Sequence, residues 1–460
     1  MAQKFNVAVV GSGPGGYAAA IRAAQRGALV ALIEKDIIGG TCLNRGCIPS
    51  KTLLASAHTL LSIKNAGSMG IDTQPAIPNW PNIQKRKEAI VAGFRKGLTG
   101  LILGNKIKIF EGRGIVTSPG KIVVKSETSP AEIEATNIIL ATGSKPVEIP
   151  AFPFDGKTII SSTEALSLEQ IPRSMVIIGG GVIGCEMACV YAAMGTKVTI
   201  VEALSRLIPM EDDWVGRLIQ REFKKLGIES MTNQKVVSVD KTTLPAKVNL
   251  ESGQVIEAEK VLVSVGRRAT VDSETVESLN LKMNGHLVAV NNKMNTNITG
   301  VYAIGDSLGT TYLAHGAFAE AEVASTNATG GDAEIGDYNL IPRAVYTFPE
   351  IASVGKSEEK CVAEGIEVSV GKAFFKANGR SIAHNEMTGE VKVIKEKSTN
   401  KILGVSMVGA TVTELIAAAR ALIGTTESIF DIAFPHPTVS EVLKEAAEDA
   451  FGLSLHNLPR

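Results

Sequence analysis

The 460-residue sequence has no excess of charge of either sign. Lysine plus arginine number 47 and aspartate plus glutamate also number 47, so the formal net charge is zero. Without a net positive field, the chain is not expected to bind nucleic acid or an anionic membrane surface. The sequence also lacks any apolar run of roughly 18 residues, so we expect no transmembrane helix.

Cysteine is scarce as well. Five cysteines in a chain of this length do not make the dense disulfide framework of a small secreted domain. Residues 1–10 do not show the succession of basic, apolar and small residues that marks a secretory signal. We therefore expect a cytoplasmic protein in a reducing compartment, where a functional disulfide is catalytic rather than structural.

Glycine, in contrast, is abundant, with 45 of 460 residues against roughly 7% on average. Part of this excess lies in two matching segments, over residues 5–34 and 175–202. Each segment reads as an apolar strand, a glycine turn, a helix, a second strand and an acidic residue, Glu34 or Glu202. The acidic residue follows the first glycine by the same 23 positions in both. The sequence therefore predicts a duplicated β-α-β unit.

Each glycine turn has the pattern Gly-x-Gly-x-x-Gly. The glycines are Gly11, Gly13 and Gly16 in the first turn, and Gly179, Gly181 and Gly184 in the second. Glycine lets the backbone turn tightly and approach a pyrophosphate at a helix N-terminus, while the acidic residue accepts hydrogen bonds from ribose. One such pattern alone is also found in plain tight turns, but two in matched context predict two dinucleotide sites. Glu202 would repel a 2′-phosphate and favours NAD over NADP, although Arg206 lies close in sequence.

Two cysteines, Cys42 and Cys47, follow the first unit with four residues between them. They can form a disulfide if the backbone coils into the start of a helix. The alternatives are two buried thiols or half of a metal site. Zinc would require two further ligands at suitable spacing, and Cys185, Cys189 and Cys361 do not offer them. We predict a catalytic disulfide, no metal site, and three cysteines without a catalytic role.

His436 lies between two prolines near the C-terminal end, and Glu441 follows five residues later. If Glu441 accepts a hydrogen bond from one ring nitrogen, the other nitrogen becomes a positioned base. A lone histidine is more often a surface or core residue. The presence of a cysteine pair makes His436 the best candidate for moving thiol protons.

Together these features, above all the run Gly-Gly-Thr-Cys-Leu-Asn-Arg-Gly-Cys-Ile-Pro-Ser-Lys at 39–51, resemble the pyridine nucleotide–disulfide oxidoreductase family. The resemblance covers essentially the whole chain and is strongest to the dihydrolipoamide dehydrogenase (E3) branch. It implies an α/β fold with two Rossmann-like dinucleotide-binding domains and a C-terminal α+β dimerisation domain. The implied regions are FAD-binding 1–145, NAD-binding 146–270, central 271–338, which completes the FAD site, and interface 339–460.

The resemblance also implies which residues bind the two cofactors. Those for FAD are Gly11, Gly13, Gly16, Glu34, Thr41, Lys51, Gly114, Gly143, Asp306 and Ala314. Those for NAD are Gly179, Gly181, Gly184, Glu186, Glu202, Val236 and Gly266. Lys51 would lie near the flavin and pair with Glu186, and Asp306 would contact the ribityl chain.

The implied activity is flavin-dependent oxidation of dihydrolipoamide to lipoamide with reduction of NAD⁺ to NADH. Cys42 would exchange with substrate and Cys47 would face the flavin, while His436 and Glu441 would reach over from the other subunit of a homodimer. The expected partner is dihydrolipoamide carried on a lipoyl domain of an E2 component or on the glycine-cleavage H protein. The alternatives are a reductase of another low-molecular-weight disulfide, and a flavoprotein with a non-catalytic assembly or sensing role. Glutathione reductase-like relatives favour arginine in place of Glu202, which argues against the first alternative.

Overall fold

The computed structural model describes residues 2–456. Within them the chain forms 24 strands and 13 α-helices. The strands are β1 (Gln3–Val10), β2 (Val30–Glu34), β3 (Lys108–Glu111), β4 (Arg113–Ser118), β5 (Lys121–Lys125), β6 (Ala131–Leu140), β7 (Ser144–Pro146), β8 (Ile159–Ile160), β9 (Ser174–Ile178), β10 (Lys197–Val201), β11 (Glu229–Met231), β12 (Val236–Asp240), β13 (Ala246–Leu250), β14 (Val255–Ala258), β15 (Lys260–Val263), β16 (Arg267–Ala269), β17 (Met283–Asn284), β18 (Leu287–Val288), β19 (Val301–Ala303), β20 (Arg343–Val345), β21 (Glu350–Gly355), β22 (Val368–Phe374), β23 (Glu390–Glu396) and β24 (Ile402–Gly409). The helices are α1 (Pro14–Gln25), α2 (Gly40–Arg45), α3 (Cys47–Lys64), α4 (Trp80–Gly104), α5 (Ser162–Ala165), α6 (Val182–Ala193), α7 (Asp213–Lys225), α8 (Ser273–Leu279), α9 (Ala314–Ala328), α10 (Glu358–Ala363), α11 (Gly379–Ala383), α12 (Val412–Leu422) and α13 (Glu441–Ala450).

The chain separates into two compact units, each made of three segments. The first unit comprises residues up to 52, 84–147 and 266–338, and the second comprises 53–83, 148–265 and 339–456. The four regions expected from the resemblance stay a prediction.

The first unit contains a parallel sheet extended by an antiparallel hairpin. The parallel strands run in the order β3-β2-β1-β6, and β19 pairs with β6 alongside residues 138–140. β5 pairs with the other half of β6 and β4 with β5, both antiparallel. All five residues of β2 are buried, as expected for a parallel strand covered on both faces. The two strands of the first predicted β-α-β unit are therefore confirmed.

Helix α1 begins earlier than the sequence pattern suggested. We predict a helix from Tyr17, but α1 begins at Pro14, inside the glycine turn. Proline fits the first helical position because an N–H group there would have no partner within the helix. The proline ring also fixes φ near the helical value. The same shift occurs in the second unit, where α6 begins at Val182 rather than at Cys185.

The second unit contains a parallel sheet in the order β11-β10-β9-β15-β8. Every strand pair in this sheet is parallel. Strands β12, β13 and β14 form a separate antiparallel sheet. The buried core includes Tyr191 and Phe223. This half of the duplication is also confirmed.

The C-terminal part of the second unit is an antiparallel sheet in the order β20-β21-β24-β23-β22. Helix α12 packs on β21, and α13 packs on β22 and β23. Phe375, Met407 and Leu443 are fully buried in the core that the helices and sheet share. The expected α/β fold with a C-terminal α+β part is confirmed. Among the described residues, no helix combines the length and the apolar character needed to cross a bilayer.

Candidate redox and dinucleotide site

The first glycine turn connects the carboxyl end of β1 to α1. Gly11 has φ +102°, a conformation that strongly favours glycine, and a Cβ on Gly11 would overlap the carbonyl oxygen of Ala141. A Cβ on Gly16 would overlap the carbonyl oxygen of Gly11, so the start of the helix packs directly on the turn. Apart from Gly13 itself and its two chain neighbours, no described residue has a heavy atom within 4 Å of a Cβ built at Gly13. The turn is thus closed on its inner side and open at Gly13, where a ligand can approach the backbone.

Glu34 lies at the end of β2 and is fastened to this turn. Its Oε2 accepts hydrogen bonds from the backbone N of Ser12 (2.8 Å) and from Ser12 Oγ (2.6 Å). Its Oε1 accepts a hydrogen bond from the backbone N of Asp36 at 2.9 Å. A carboxylate has about four acceptor positions, so Glu34 can hold the turn and still accept a ribose hydroxyl.

The second glycine turn repeats this geometry between β9 and α6. Gly179 has φ +106°, and a Cβ on Gly184 would overlap the carbonyl oxygen of Gly179. Gly181 is open in the same way, since in the described part of the chain only its own atoms and those of its two neighbours lie within 4 Å of a Cβ built there. Ser264, at the end of β15, donates from Oγ to the carbonyl oxygen of Gly179 at 3.1 Å. The two turns are therefore matched in conformation as well as in sequence.

Glu202 fastens the second turn as Glu34 fastens the first. It is buried at the end of β10. Its Oε2 accepts from the backbone N of Gly180 at 2.6 Å, and its Oε1 accepts from the backbone N of Leu204 at 2.7 Å. The carboxylate therefore fixes both the second glycine turn and the loop that follows β10.

Helices α1 and α6 both begin without a side-chain cap. Their first N–H groups have no partner within the helix and carry partial positive charge, which suits a pyrophosphate. Each N-terminus combines with an open glycine and a tethered carboxylate, so both turns fit a dinucleotide.

The predicted disulfide is present between Cys42 and Cys47, with a Cα–Cα distance of 4.8 Å. Cys42 lies on the short helix α2, and Cys47 is the first residue of the 18-residue helix α3. Gly46 joins the two helices, and a Cβ on it would lie 3.1 Å from the carbonyl oxygen of Thr41 and 3.2 Å from the Cα of Cys42. The lack of a side chain at Gly46 therefore lets the chain turn back and bring the sulfurs together.

Asn44 braces the disulfide loop. Its Nδ2 donates to the carbonyl oxygens of Ile38 (3.0 Å) and Gly40 (2.9 Å), and its Oδ1 accepts from Arg95 Nε at 3.1 Å. We did not predict Asn44 or Arg95, which lie 51 positions apart. The polar asparagine between the cysteines was the only available signal.

Asp306 belongs to a polar cluster that follows β19. Ser144 donates a hydrogen bond from Oγ to Asp306 Oδ2, and Arg267 Nε lies 3.7 Å from the same oxygen. Arg267 also donates to Ser144 Oγ (2.7 Å) and to its carbonyl oxygen (2.8 Å). Burial lowers the pKa of Arg267, and the charge of Asp306 opposes that shift. Ser144 and Arg267 were not predicted, although Ser144 directly follows the predicted Gly143.

A buried carboxylate lies behind this cluster. Glu320, on α9, is fully buried and accepts hydrogen bonds from the backbone N of Gly305 (2.6 Å), Thr310 Oγ1 (2.8 Å) and Tyr338 Oη (2.9 Å). Burial raises the pKa of Glu320, and the Gly305 amide opposes that shift. The sequence signal was an acidic residue in the middle of an apolar helical pattern, which sequence reasoning passed over.

The remaining predicted FAD residues all lie in the first unit. Ala314 is the first residue of α9, which has no side-chain cap. Lys51 follows Cys47 by one turn on α3 and is partly buried. Gly114, in β4, approaches β2 so closely that a Cβ would lie 3.0 Å from Ile33 Cγ2. Thr41 is exposed on α2 and Gly143 follows β6.

The remaining predicted NAD residues are divided. Glu186, on α6, is buried and accepts a hydrogen bond from the backbone N of Tyr346 at 3.0 Å. Val236 is the first residue of β12 and is buried. Both belong to the second unit, whereas Gly266 belongs to the first. The pairing of Lys51 with Glu186 and the cofactor roles of these residues stay predictions.

The hydrogen bond between His436 and Glu441 is present. His436 Nδ1 lies 2.9 Å from Glu441 Oε1, and the backbone N of Thr438 donates to Glu441 Oε2 at 2.8 Å. Burial would raise the pKa of Glu441, but the Thr438 amide and then His436 hold it below its usual range. The carboxylate is therefore ionised near neutral pH and can only accept, which places the proton on Nδ1 and leaves Nε2 as the basic nitrogen. The imidazole is 79% exposed.

The other three cysteines are buried, and none of them forms a disulfide. Burial raises the pKa of the Cys185 thiol, and that of Cys189 to about 12. A thiol of such high pKa stays protonated and unreactive.

Comparison with known proteins gives matches over nearly the whole chain. Residues 5–321 match the family described as pyridine nucleotide-disulphide oxidoreductase, and residues 341–447 match the dimerisation domain of that family. A dihydrolipoyl dehydrogenase of Bacillus subtilis (strain 168) is 40% identical over 98% of this chain and 100% of its own length. A dihydrolipoyl dehydrogenase of Chlamydia muridarum is 38% identical over 100% of this chain and 99% of its own.

Solved structures have the same fold. LpdA from Mycobacterium tuberculosis superimposes with a TM-score of 0.91 at 26% identity, covering 97% of this chain and 99% of that one. The HOCl-induced flavoprotein disulfide reductase RclA from Escherichia coli superimposes with a TM-score of 0.86 at 25% identity, covering 96% and 99%.

Proposed function

The chain belongs to the pyridine nucleotide–disulphide oxidoreductase family, and from that premise we propose that it oxidises dihydrolipoamide to lipoamide and reduces NAD⁺, with FAD as its second cofactor. The observation that carries the proposal is the Cys42–Cys47 disulfide at the start of α3. It lies in the same compact unit as the first dinucleotide turn. Full-length dihydrolipoyl dehydrogenases at 37–40% identity support the choice of substrate.

The residues present fit both cofactors. The first turn, with Glu34, Asp306 and the N-terminus of α9, would hold FAD. The second turn, with Glu202, would hold NAD. When bound, the two cofactors supply the electron and hydride transfer that protein side chains cannot carry out.

Substrate oxidation begins as thiol–disulfide exchange. One substrate thiolate attacks Cys42 Sγ, so that a mixed disulfide forms and Cys47 leaves as a thiolate. The second substrate thiolate then attacks the substrate sulfur of the mixed disulfide and releases Cys42. Lipoamide is the oxidised product, and the two electrons remain on the reduced pair Cys42 and Cys47.

The helix N-terminus at Cys47 supports its proposed departure as an anion. It is the first residue of an 18-residue helix whose first turn contains no acidic side chain. The partial positive charge at the helix N-terminus stabilises a thiolate there. The two cysteines therefore differ in environment, which fits an exchange thiol at Cys42 and a stabilised thiolate at Cys47.

His436 supplies the base for the substrate thiols. Because Glu441 accepts from Nδ1, the exposed Nε2 can take a thiol proton and return it in the reverse direction. We propose that it acts as His436 of the partner subunit in a homodimer, an arrangement supported by the match of residues 341–447 to the dimerisation domain.

The substrate is proposed to arrive on a lipoyl domain of an E2 component or on the glycine-cleavage H protein. The exposed position of His436 supports a protein-borne substrate, because a tethered arm needs an open approach. We also propose a cytoplasmic location, because three cysteines remain as free thiols and the cytosol keeps thiols reduced.

The test is a set of steady-state assays on the purified holoprotein. Lipoamide and glutathione disulfide are each offered with NADH and with NADPH, and dihydrolipoamide is offered with NAD⁺ and NADP⁺. We expect turnover with the lipoamide couple and a clear preference for the NAD couple. Reduction of glutathione disulfide by NADPH, with none of lipoamide, would overturn the proposal. Absence of any disulfide turnover by a protein with bound FAD would instead favour a non-catalytic role.

A further inference from the structure

One arginine near the NAD turn is held by an acidic residue that the proposed reaction does not use. Arg206 lies on the loop between β10 and α7, four positions after Glu202. Its guanidinium donates from Nη1 to Glu359 Oε1 and from Nη2 to Glu359 Oε2, both at 2.9 Å. A two-pronged pair of this kind is the strongest geometry for arginine and carboxylate.

The backbone is fixed on both sides of Arg206, to Glu202 on one side and to the second glycine turn on the other. Two positions before it, the backbone N of Leu204 donates to Glu202 Oε1 at 2.7 Å. Two positions after it, the backbone N of Ile208 donates to the carbonyl oxygen of Gly180 at 2.8 Å. Arg206 is therefore a cation held on the loop that joins β10 to α7 (residues 202–212, here called the ribose loop). In other dinucleotide folds a nearby arginine accommodates the 2′-phosphate of NADP.

Glu359 is itself anchored. Its Oε1 also accepts from the backbone N of Asp213, the first residue of α7, at 2.6 Å. The carboxylate thus bridges the arginine and the N-terminus of a 13-residue helix, whose partial positive charge favours an anion there. This second contact keeps Glu359 in position to hold Arg206.

We propose that Glu359 is a specificity-determining residue that favours NAD by neutralising and holding Arg206. The inference rests on the proposed binding of NAD at the second turn. With Arg206 paired, the ribose loop offers a 2′-phosphate no free cation from this residue, and Glu202 repels it. Loss of the Glu359 charge releases the guanidinium, which can then pair with the phosphate.

The test compares Glu359→Gln with a matched control, Glu358→Gln. Glu358 is the neighbouring residue on α10 and is similarly exposed, but its ion pair is with Lys392 at 3.1 Å. Binding of NAD⁺ and of NADP⁺ to each holoprotein is measured by titration calorimetry. We expect Glu359→Gln to tighten NADP⁺ binding about tenfold and to change NAD⁺ binding less than about twofold. Glu358→Gln should change neither.

The double variant Glu359→Gln/Arg206→Gln separates release of Arg206 from simple removal of negative charge. We expect it to bind NADP⁺ no better than the unmodified protein. An equal gain in the single and double variants would overturn the role of Arg206, and no gain in Glu359→Gln would overturn the role of Glu359.

A second readout is NADH and NADPH oxidation with ferricyanide, which needs no thiol substrate. The NADPH-to-NADH ratio of kcat/KM should rise with NADP⁺ affinity, and a loss of stability alone would not move that ratio. Because neither measurement uses lipoamide, failure of the lipoamide assay would remove the proposed substrate without bearing on this inference.

Discussion

The hydrogen bonds between His436 and Glu441 allow the effect of replacing Glu441 to be predicted from the number of donors that it accepts. Glu441 receives one N–H on each oxygen, from His436 Nδ1 at 2.9 Å and from the Thr438 amide at 2.8 Å. In Glu441→Gln the side chain keeps its shape but has one oxygen and one NH₂ group. It can therefore accept only one of the two hydrogen bonds.

The backbone amide of Thr438 cannot change its role, whereas the imidazole can change its tautomer. We expect the glutamine oxygen to face Thr438 and its NH₂ to face Nδ1 of His436. The proton then moves to Nε2, the nitrogen that the proposed mechanism requires as base. Since a positioned base contributes typically 10²–10⁴-fold, kcat for dihydrolipoamide oxidation should fall about 10²-fold, which corresponds to about 2.7 kcal/mol.

The assay is dihydrolipoamide oxidation with NAD⁺, compared with NADH oxidation by ferricyanide, which transfers no thiol proton. Only the first should fall. The chain provides a matched control, because Glu445 lies one turn further along α13 and pairs in the same way with His456 Nδ1 at 2.6 Å. Glu445→Gln should leave kcat within about twofold. If Glu441→Gln keeps more than half of the original kcat, or if Glu445→Gln loses as much, the tautomer argument is wrong.

Three further predictions follow from other sites. Cys47→Ser should abolish lipoamide turnover, and titration of thiols in the unfolded, unreduced protein should find Cys42 newly free; residual turnover above about 1% would contradict the exchange mechanism. Mixed dimers of Cys42→Ser and His436→Ala subunits should recover about one active site in two, whereas no recovery would count against a site shared by two subunits. Asp155 accepts from Lys241 Nζ at 2.8 Å and from three backbone amides; although burial opposes the shift, they hold its pKa at about 2. A lowered pKa stabilises the fold above the unfolded pKa of about 4, so Asp155→Asn should cost about 1 kcal/mol after allowance for solvent screening in urea unfolding at pH 7. This difference in unfolding free energy should shrink from pH 4 toward pH 2. A difference that does not change with pH would refute the prediction.

Local patterns were sufficient to predict the duplicated turns. Gly11 and Gly179 need a backbone conformation that few other residues adopt, and the distance to Glu34 or Glu202 is set by one helix and one strand. Both constraints lie within about 25 residues, so they are visible in the sequence. The disulfide was predictable for the same reason, since Cys42 and Cys47 are separated by less than two helical turns.

Contacts between distant segments were not predictable in this way. Ser144 and Asp306 lie 162 positions apart, and Arg206 and Glu359 lie 153 apart. Each residue alone resembles an ordinary polar side chain, and only the fold brings the partners together. Glu320 differs from these residues, because its position inside an apolar helical pattern is visible in the sequence. A buried carboxylate requires hydrogen-bond donors around it, although we did not predict them.

Glu202 has a structural role in the second glycine turn and a proposed role in coenzyme preference. This combination limits how the preference can change during evolution or engineering. The carboxylate that we propose to exclude a 2′-phosphate also accepts hydrogen bonds from the backbone N of Gly180 and from that of Leu204. A direct replacement of Glu202 would therefore loosen the second glycine turn in the same step that removes the proposed repulsion, and we expect most such variants to bind both coenzymes poorly. A change of preference toward NADP is therefore expected to begin at residues that do not hold the turn. Glu202 can be replaced only after another residue has taken over its hydrogen bonds.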